Sequence, residues 1–207
     1  MIKFLRIFLI LTFLQIGTLV LTTSCCEDEY IYFWSELYLS NVDNRGERPI
    51  TAEENRLPAI AYAIGMSMAY DFVHQTSPLN GFSNSAYAYS CAESYQRNDT
   101  IEAVRIRALS DFDEFHPAGT DLTDFFAAKT RGTVTAFSST EEKTEHAIAV
   151  SSFVENVNES EPYYILTDFD LFLLESPSQE TAFQFIVEVE LSNEKILVDT
   201  TESIILY

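Results

Sequence analysis

Five carboxylates crowd one stretch of the chain: Asp111, Asp113, Glu114, Asp121 and Asp124. Calcium takes several oxygen ligands, and Asp-x-Asp spacing on a loop supplies them. The glycine-anchored loop of an EF-hand is missing, however. A solvated acidic loop with one residue capping a helix accounts for the same acids, so they are assigned no metal. Asp168 and Asp170 repeat the spacing, but strand alternation by itself turns both to solvent. His74, His116 and His146 are scattered, with no His-x-x-x-His or His-Glu-x-x-His pair for zinc. A Gly-x-Ser-x-Gly elbow, a phosphate loop and a dinucleotide fingerprint are all lacking. Two enzymatic arrangements stay open. Cys91 could act with a distant histidine, and a carboxylate pair could hydrolyse a sugar bond, its spacing being a three-dimensional fact. The reading is no catalytic residue, no metal and no cofactor, with a β-sandwich envelope hydrolase acting on glycans as the alternative.

Tyr30, Tyr32, Phe33, Trp34 and Tyr38 form an aromatic cluster. Exposed aromatics stack on sugars in binding modules, whereas core and cross-strand packing is the commoner use of such strand formers.

The remaining reactive residues sit in TTSCCEDE, Thr22–Glu29. Before them come a basic start with Lys3 and Arg6, an apolar run from Ile7 to Leu21, and small residues at Thr22, Thr23 and Ser24. This is the order of a secretory signal, expected over residues 1–24. The apolar run is short and interrupted for a bilayer crossing, which needs about 20 apolar residues.

Thr23, Ser24 and Cys25 resemble the lipobox of bacterial lipoproteins, with Thr22 where leucine is common. The resemblance implies a lipid on Cys25. Glu27, Asp28 and Glu29 are similar to the acidic signal that sends lipoproteins of the Bacteroidota to the outer face of the outer membrane. Ser24–Cys26, the run HPAGTDLTDFF (His116–Phe126) and the closing FQFIVEVELSNEKILVDTTESIIL resemble an uncharacterised lipoprotein family of that phylum, a domain of unknown function. Asp99-Thr100-Ile101 and Asp199-Thr200-Thr201 resemble a glycosylation pattern of secreted proteins there, with Thr100 and Thr200 as acceptors. A lipidated Cys25 leaves Cys26 and Cys91 as an even pair of thiols in an oxidising compartment, hence a disulfide. Alternatively, Cys26 is a small residue beside the lipid and Cys91 a buried side chain.

Residues 25–207 carry 10 of the 12 basic residues and all 32 acidic ones, a formal net charge of 10 − 32 = −22. That balance repels nucleic-acid phosphates and an anionic bilayer, so membrane residence has to come from lipid. The 47% hydrophobic and 14% aromatic content argues for a packed core.

These residues need a scaffold of strands. IAYAIGMSMAYDF, Ile60–Phe72, alternates large apolar residues from Ile60 through Phe72 with the small face Ala61, Ala63, Gly65, Ser67 and Ala69. Such a face lets another layer approach closely. Phe183–Leu191 alternates likewise, and Ser192–Lys195 turns it into a hairpin with Ile196–Val198. Further strands are expected at Tyr30–Leu39, Ala86–Cys91, Ile101–Leu109, Ala147–Val154, Tyr163–Leu174 and Ser203–Tyr207. One short helix is expected near Asp121–Lys129, capped by Asp121. ALSDFDEF (Ala108–Phe115) resembles ILTDFDLF (Ile165–Phe172), which leaves open two half-domains or chance.

The whole reads as an all-β protein, an antiparallel β-sandwich of immunoglobulin-like or related type with one short helix. Its parts are a signal at 1–24, an acidic tether at 25–29 and a sandwich at 30–207, whole or as two half-domains. The expected function is a non-catalytic surface module, lipid-anchored in the outer membrane on its outer or periplasmic face. Its partners are the membrane, through lipid, and a glycan or envelope protein.

Overall fold

The computed structural model describes residues 28–46, 49–75, 93–131, 147–159 and 168–207. The expected signal, Cys25, Cys26, Glu27, Cys91 and the strand expected at Ala86–Cys91 lie outside them. Within them run thirteen strands. In chain order they are β1 (Asp28–Asp43), β2 (Ile50–Thr51), β3 (Arg56–Leu57), β4 (Tyr62–Gln75), β5 (Glu93–Arg97), β6 (Ile101–Ala108) and β7 (Phe126–Thr130). Then follow β8 (Ile148–Ala149), β9 (Asp168–Leu173), β10 (Thr181–Phe183), β11 (Phe185–Leu191), β12 (Ile196–Thr200) and β13 (Ile204–Leu206). The one α-helix among the described residues, α1, is Val150–Glu159.

The chain is all-β, an antiparallel sandwich. One sheet has the order β2-β1-β4-β9-β7-β8, with β5 beside β1; the other two are β12-β11-β6 and β10-β13-β3. The pairing of β13 with β3 is parallel. Side chains from all three sheets and the helix meet in one core: Ile64 and Leu171, Ile106 and Val187, Phe183 and Ile204, Val150 and Phe153. β11 gives the clean alternation its sequence promised, with Phe185, Val187, Val189 and Leu191 buried and the residues between them half-buried.

The run Ile60–Phe72 is β4 with a short 3-10 turn, Ala59–Ala61, ahead of it. Tyr62, Ile64, Met66 and Met68 are buried as alternation requires, but Ile60, Tyr70 and Phe72 are exposed. The Tyr62 hydroxyl donates to Asn41 Oδ1 at 2.8 Å, and burial pushes its pKa up. The small face is also covered: Ala63 joins Val42, Ala127, Ala147 and Phe172 in a second apolar cluster. A Cβ on Gly65 would overlap Arg131 Nη2 and stand 2.6 Å from Ser40 Oγ and 2.8 Å from Val42 Cγ2. Only a glycine allows that approach.

The helix is not where it was expected. Asp121 opens a turn: its Oδ1 accepts the N–H and hydroxyl of Thr123. A 3-10 turn, Thr123–Phe125, follows, and then β7. Conversely, the strand expected at Ala147–Val154 is a strand only at β8 and is helix from Val150. Val150, Phe153, Val154 and Val157 are the helix's buried residues, spaced i, i+3, i+4 and i+7 as an amphipathic helix requires. β1 begins at Asp28, inside the expected tether. The two Asp-Phe-Asp copies differ in conformation, since Asp111–Asp113 lies in a loop and Asp168–Asp170 in β9.

The chain divides into two compact units. Among the described residues, the larger comprises those of 33–71 and 97–207; the smaller takes in 28–32, 72–75 and 93–96. Among the described residues no helix is long and apolar enough to cross a membrane.

Candidate functional site

The acidic loop of the larger unit is organised by its own carboxylates. Asp111 Oδ1 accepts the Ala118 N–H at 2.8 Å. Asp113 Oδ1 accepts the N–H groups of Phe115 and His116 at 2.8 and 2.9 Å. His116 Nδ1 lies 2.8 and 2.9 Å from the two oxygens of Asp113, and its ring meets Phe125 edge to face at 4.8 Å. The hydrogen bond from His116 is the main cause that holds the Asp113 carboxyl below its usual pKa. Beside the loop opens a shallow cleft of about 750 Å³, whose walls include Asp111, Asp113, Glu114 and Phe115. Among the described residues no three His, Cys, Asp or Glu side chains converge on a metal position. Asp111 and Asp113 serve as turn-formers, satisfying backbone N–H groups that would otherwise lack partners.

A second polar cluster lies over Gly65. Asp170, opposite Gly65 in the register of β4 and β9, is 3% exposed and not turned to solvent as alternation suggested. β9 is covered on both faces, so alternation no longer separates buried from wet. Arg131 donates from Nε and Nη2 to Asp170 Oδ1 at 2.9 and 2.8 Å. Ser67 Oγ donates to Asp168 Oδ1 at 2.6 Å. Burial raises the pKa of Asp170, and the hydrogen bond from Arg131 only partly offsets it. The cluster ties the residue after β7 to β9 by charge and β9 to β4 by a hydrogen bond. Sequence inspection missed Arg131, whose partner is distant in the chain.

The third cluster is aromatic and belongs to the smaller unit. Tyr30 on β1 is stacked between His74 on β4 and Tyr95 on β5, with ring centroids 4.9 and 5.4 Å away and planes within 25° and 20°. Phe72 meets Tyr30 at 5.9 Å with the planes at 74°. Both faces of Tyr30 are covered by the stack, so Tyr30 turns its edge toward Phe72. Phe72 takes that edge on one face and remains 62% exposed. Of the N-terminal aromatics named from sequence, Tyr32 and Trp34 are buried, Tyr30 and Phe33 half-buried and Tyr38 exposed. His74 and Tyr95 were not foreseen. A signal was present, in that the alternation of β4 carries on into Asp71 and His74, residues that suit a surface.

Thr100 and Thr200 are both exposed. The Asp199 carboxylate accepts the Leu39 N–H at 2.8 Å, whereas Asp99 is buried. Asp28 and Glu29 fall at the start of β1.

Residues 34–202 match the family model described as Domain of unknown function (DUF5034), and the chain belongs to that family. No curated protein and no solved structure matches the chain.

Proposed function

We propose that this DUF5034 protein is a lipid-anchored component of the bacterial outer membrane, a non-catalytic binding or assembly module whose partner is a glycan or another envelope protein. The observation that carries the binding reading is the aromatic cluster of Tyr30, Phe72, His74 and Tyr95. It spends an exposed phenyl ring on solvent and braces it with a stack across three strands. An exposed aromatic ring braced in this way is suited to recognition. The anchoring reading rests on sequence: the signal order over residues 1–24, Cys25 after two small residues, and Glu27, Asp28 and Glu29 as an export signal of Bacteroidota type. The same address carries sugar on Thr100 and Thr200, which are exposed, and a Cys26–Cys91 disulfide.

The test is a photo-reactive phenylalanine analogue at position 72 of the full chain, illuminated in cells. Cross-linking to an envelope component is expected, and a chain that stays uncoupled at this position refutes the binding surface. The cleft beside Asp111, Asp113 and Glu114 favours the second reading, a hydrolase acting on glycans, because three carboxylates share one opening. Release of reducing ends from a glycan panel, abolished by Glu114→Gln, would replace the first reading with the second.

A further inference from the structure

Resting on the binding-module reading, we propose that Phe72 is a stacking platform for the ring of an uncharged sugar, held in place by Tyr30. An aromatic face is electron-rich and its edge electron-poor. The axial C–H groups of a pyranose carry partial positive charge and suit a face, not an edge. Most rings of the cluster spend their faces on each other: Tyr30 is covered on one side by His74 and on the other by Tyr95. Phe72 is different. Its plane stands at 74° to that of Tyr30 and the residue is 62% exposed, which leaves ring surface for a ligand. The contact with Tyr30 braces the ring before any ligand arrives, so little freedom is lost on binding.

Charge selects the class of sugar. The chain carries a formal net charge of −20. Residues 25–32 and 72–96, the stretches that hold Tyr30 and Phe72, include four acids and neither lysine nor arginine. A field of that sign repels uronic-acid and sulfated polymers and leaves neutral ones unaffected.

The experiment is affinity electrophoresis of the detergent-solubilised full chain through native gels containing soluble starch, xylan or galactomannan, with polygalacturonate as the anionic control. Retardation by at least one neutral polymer is expected, weakened about tenfold or more by Phe72→Ala and restored by Phe72→Trp. Polygalacturonate should leave migration unchanged. Equal retardation of wild type and Phe72→Ala, retardation by polygalacturonate alone, or no retardation by any neutral polymer each overturns the proposal. If the neutral polymers fail while the photo-reactive position 72 still couples to an envelope protein, the sugar is refuted and the binding module stands. Failure of both refutes both. Matching thermal unfolding of wild type and Phe72→Ala keeps a folding defect out of the comparison.

Discussion

Gly65 shows how one missing side chain sets a local arrangement. Its empty face admits Arg131, Ser40 and Val42 together, and Arg131 in turn pairs with the buried Asp170. Gly65→Ala forces these groups apart and is expected to cost about 1–3 kcal/mol, as overpacking does. Urea unfolding that gives wild-type stability would show that the neighbours yield freely. The acids of the molecule respond to pH with opposite signs. Asp113 has a lowered pKa, so its contribution to stability is present above the unfolded value of 3.8 and is lost as pH falls through the folded value below it. Asp170 has a raised pKa, so protonation favours the native state. Its contribution grows as pH falls through the folded value and is complete below 3.8. Asp113→Asn should therefore lower stability at neutral pH and flatten the acid limb of the stability curve below 3.8. An unchanged acid limb would assign the loop's order to other groups. At this scale the positions of the acids were legible in the sequence and their duties were not. Asp111 and Asp113 are satisfied by backbone N–H groups within their own loop, while Asp170 is paired with an arginine brought in from another strand.

Elements were legible where one face is wet. β11 and β12 sit in a sheet with a half-exposed outer face, so their side chains alternate and the hairpin could be read residue by residue. β7 could not be. Ala127 faces one apolar cluster and Ala128 the other, so both sides are buried, alternation vanishes, and an alanine-rich run looks helical. The helix was lost for a related reason. Stopping the pattern at Val154 leaves out Val157, the position that distinguishes a period of 3.6 from one of two. Once formed, α1 also guards a sheet edge. Asn158 Oδ1 accepts the Ile101 N–H at 3.0 Å and its Nδ2 donates to the Ile101 carbonyl at 2.7 Å. The side-chain amide thus takes the place of a strand's peptide group. Farther along β6, Leu122 N–H donates to the Ile106 carbonyl and Thr123 Oγ1 accepts the Ile106 N–H. Edges covered in this way do not template association. Asn158→Ala strands a buried donor and a buried acceptor and should cost about 1–3 kcal/mol, with faster hydrogen exchange at the Ile101 amide. Unaltered exchange there would mean that the hook carries no load.

The molecule as a whole is set by charge and by the start of its first strand. β1 begins at Asp28, so a lipid on Cys25 would leave three residues of reach, about 11 Å when extended. A domain held that near a bilayer while carrying a net charge of −22 on residues 25–207 would be repelled by anionic headgroups, and only the acyl chains would oppose that repulsion. Each buried methylene contributes about 0.8 kcal/mol, and several chains hold where one does not. Salt separates this arrangement from electrostatic adhesion. A protein bound by charge leaves the membrane when salt screens the attraction, within a Debye length of about 3 Å at 1 M. For the proposed lipid anchor, screening would remove a repulsion instead. Washing with 1 M salt should leave the wild-type chain in the membrane fraction, and detergent should extract it. Cys25→Ala should appear in the soluble fraction at every salt concentration. Retention of Cys25→Ala with the membranes, or release of the wild type by salt, would mean that protein surface and not lipid holds the molecule in place.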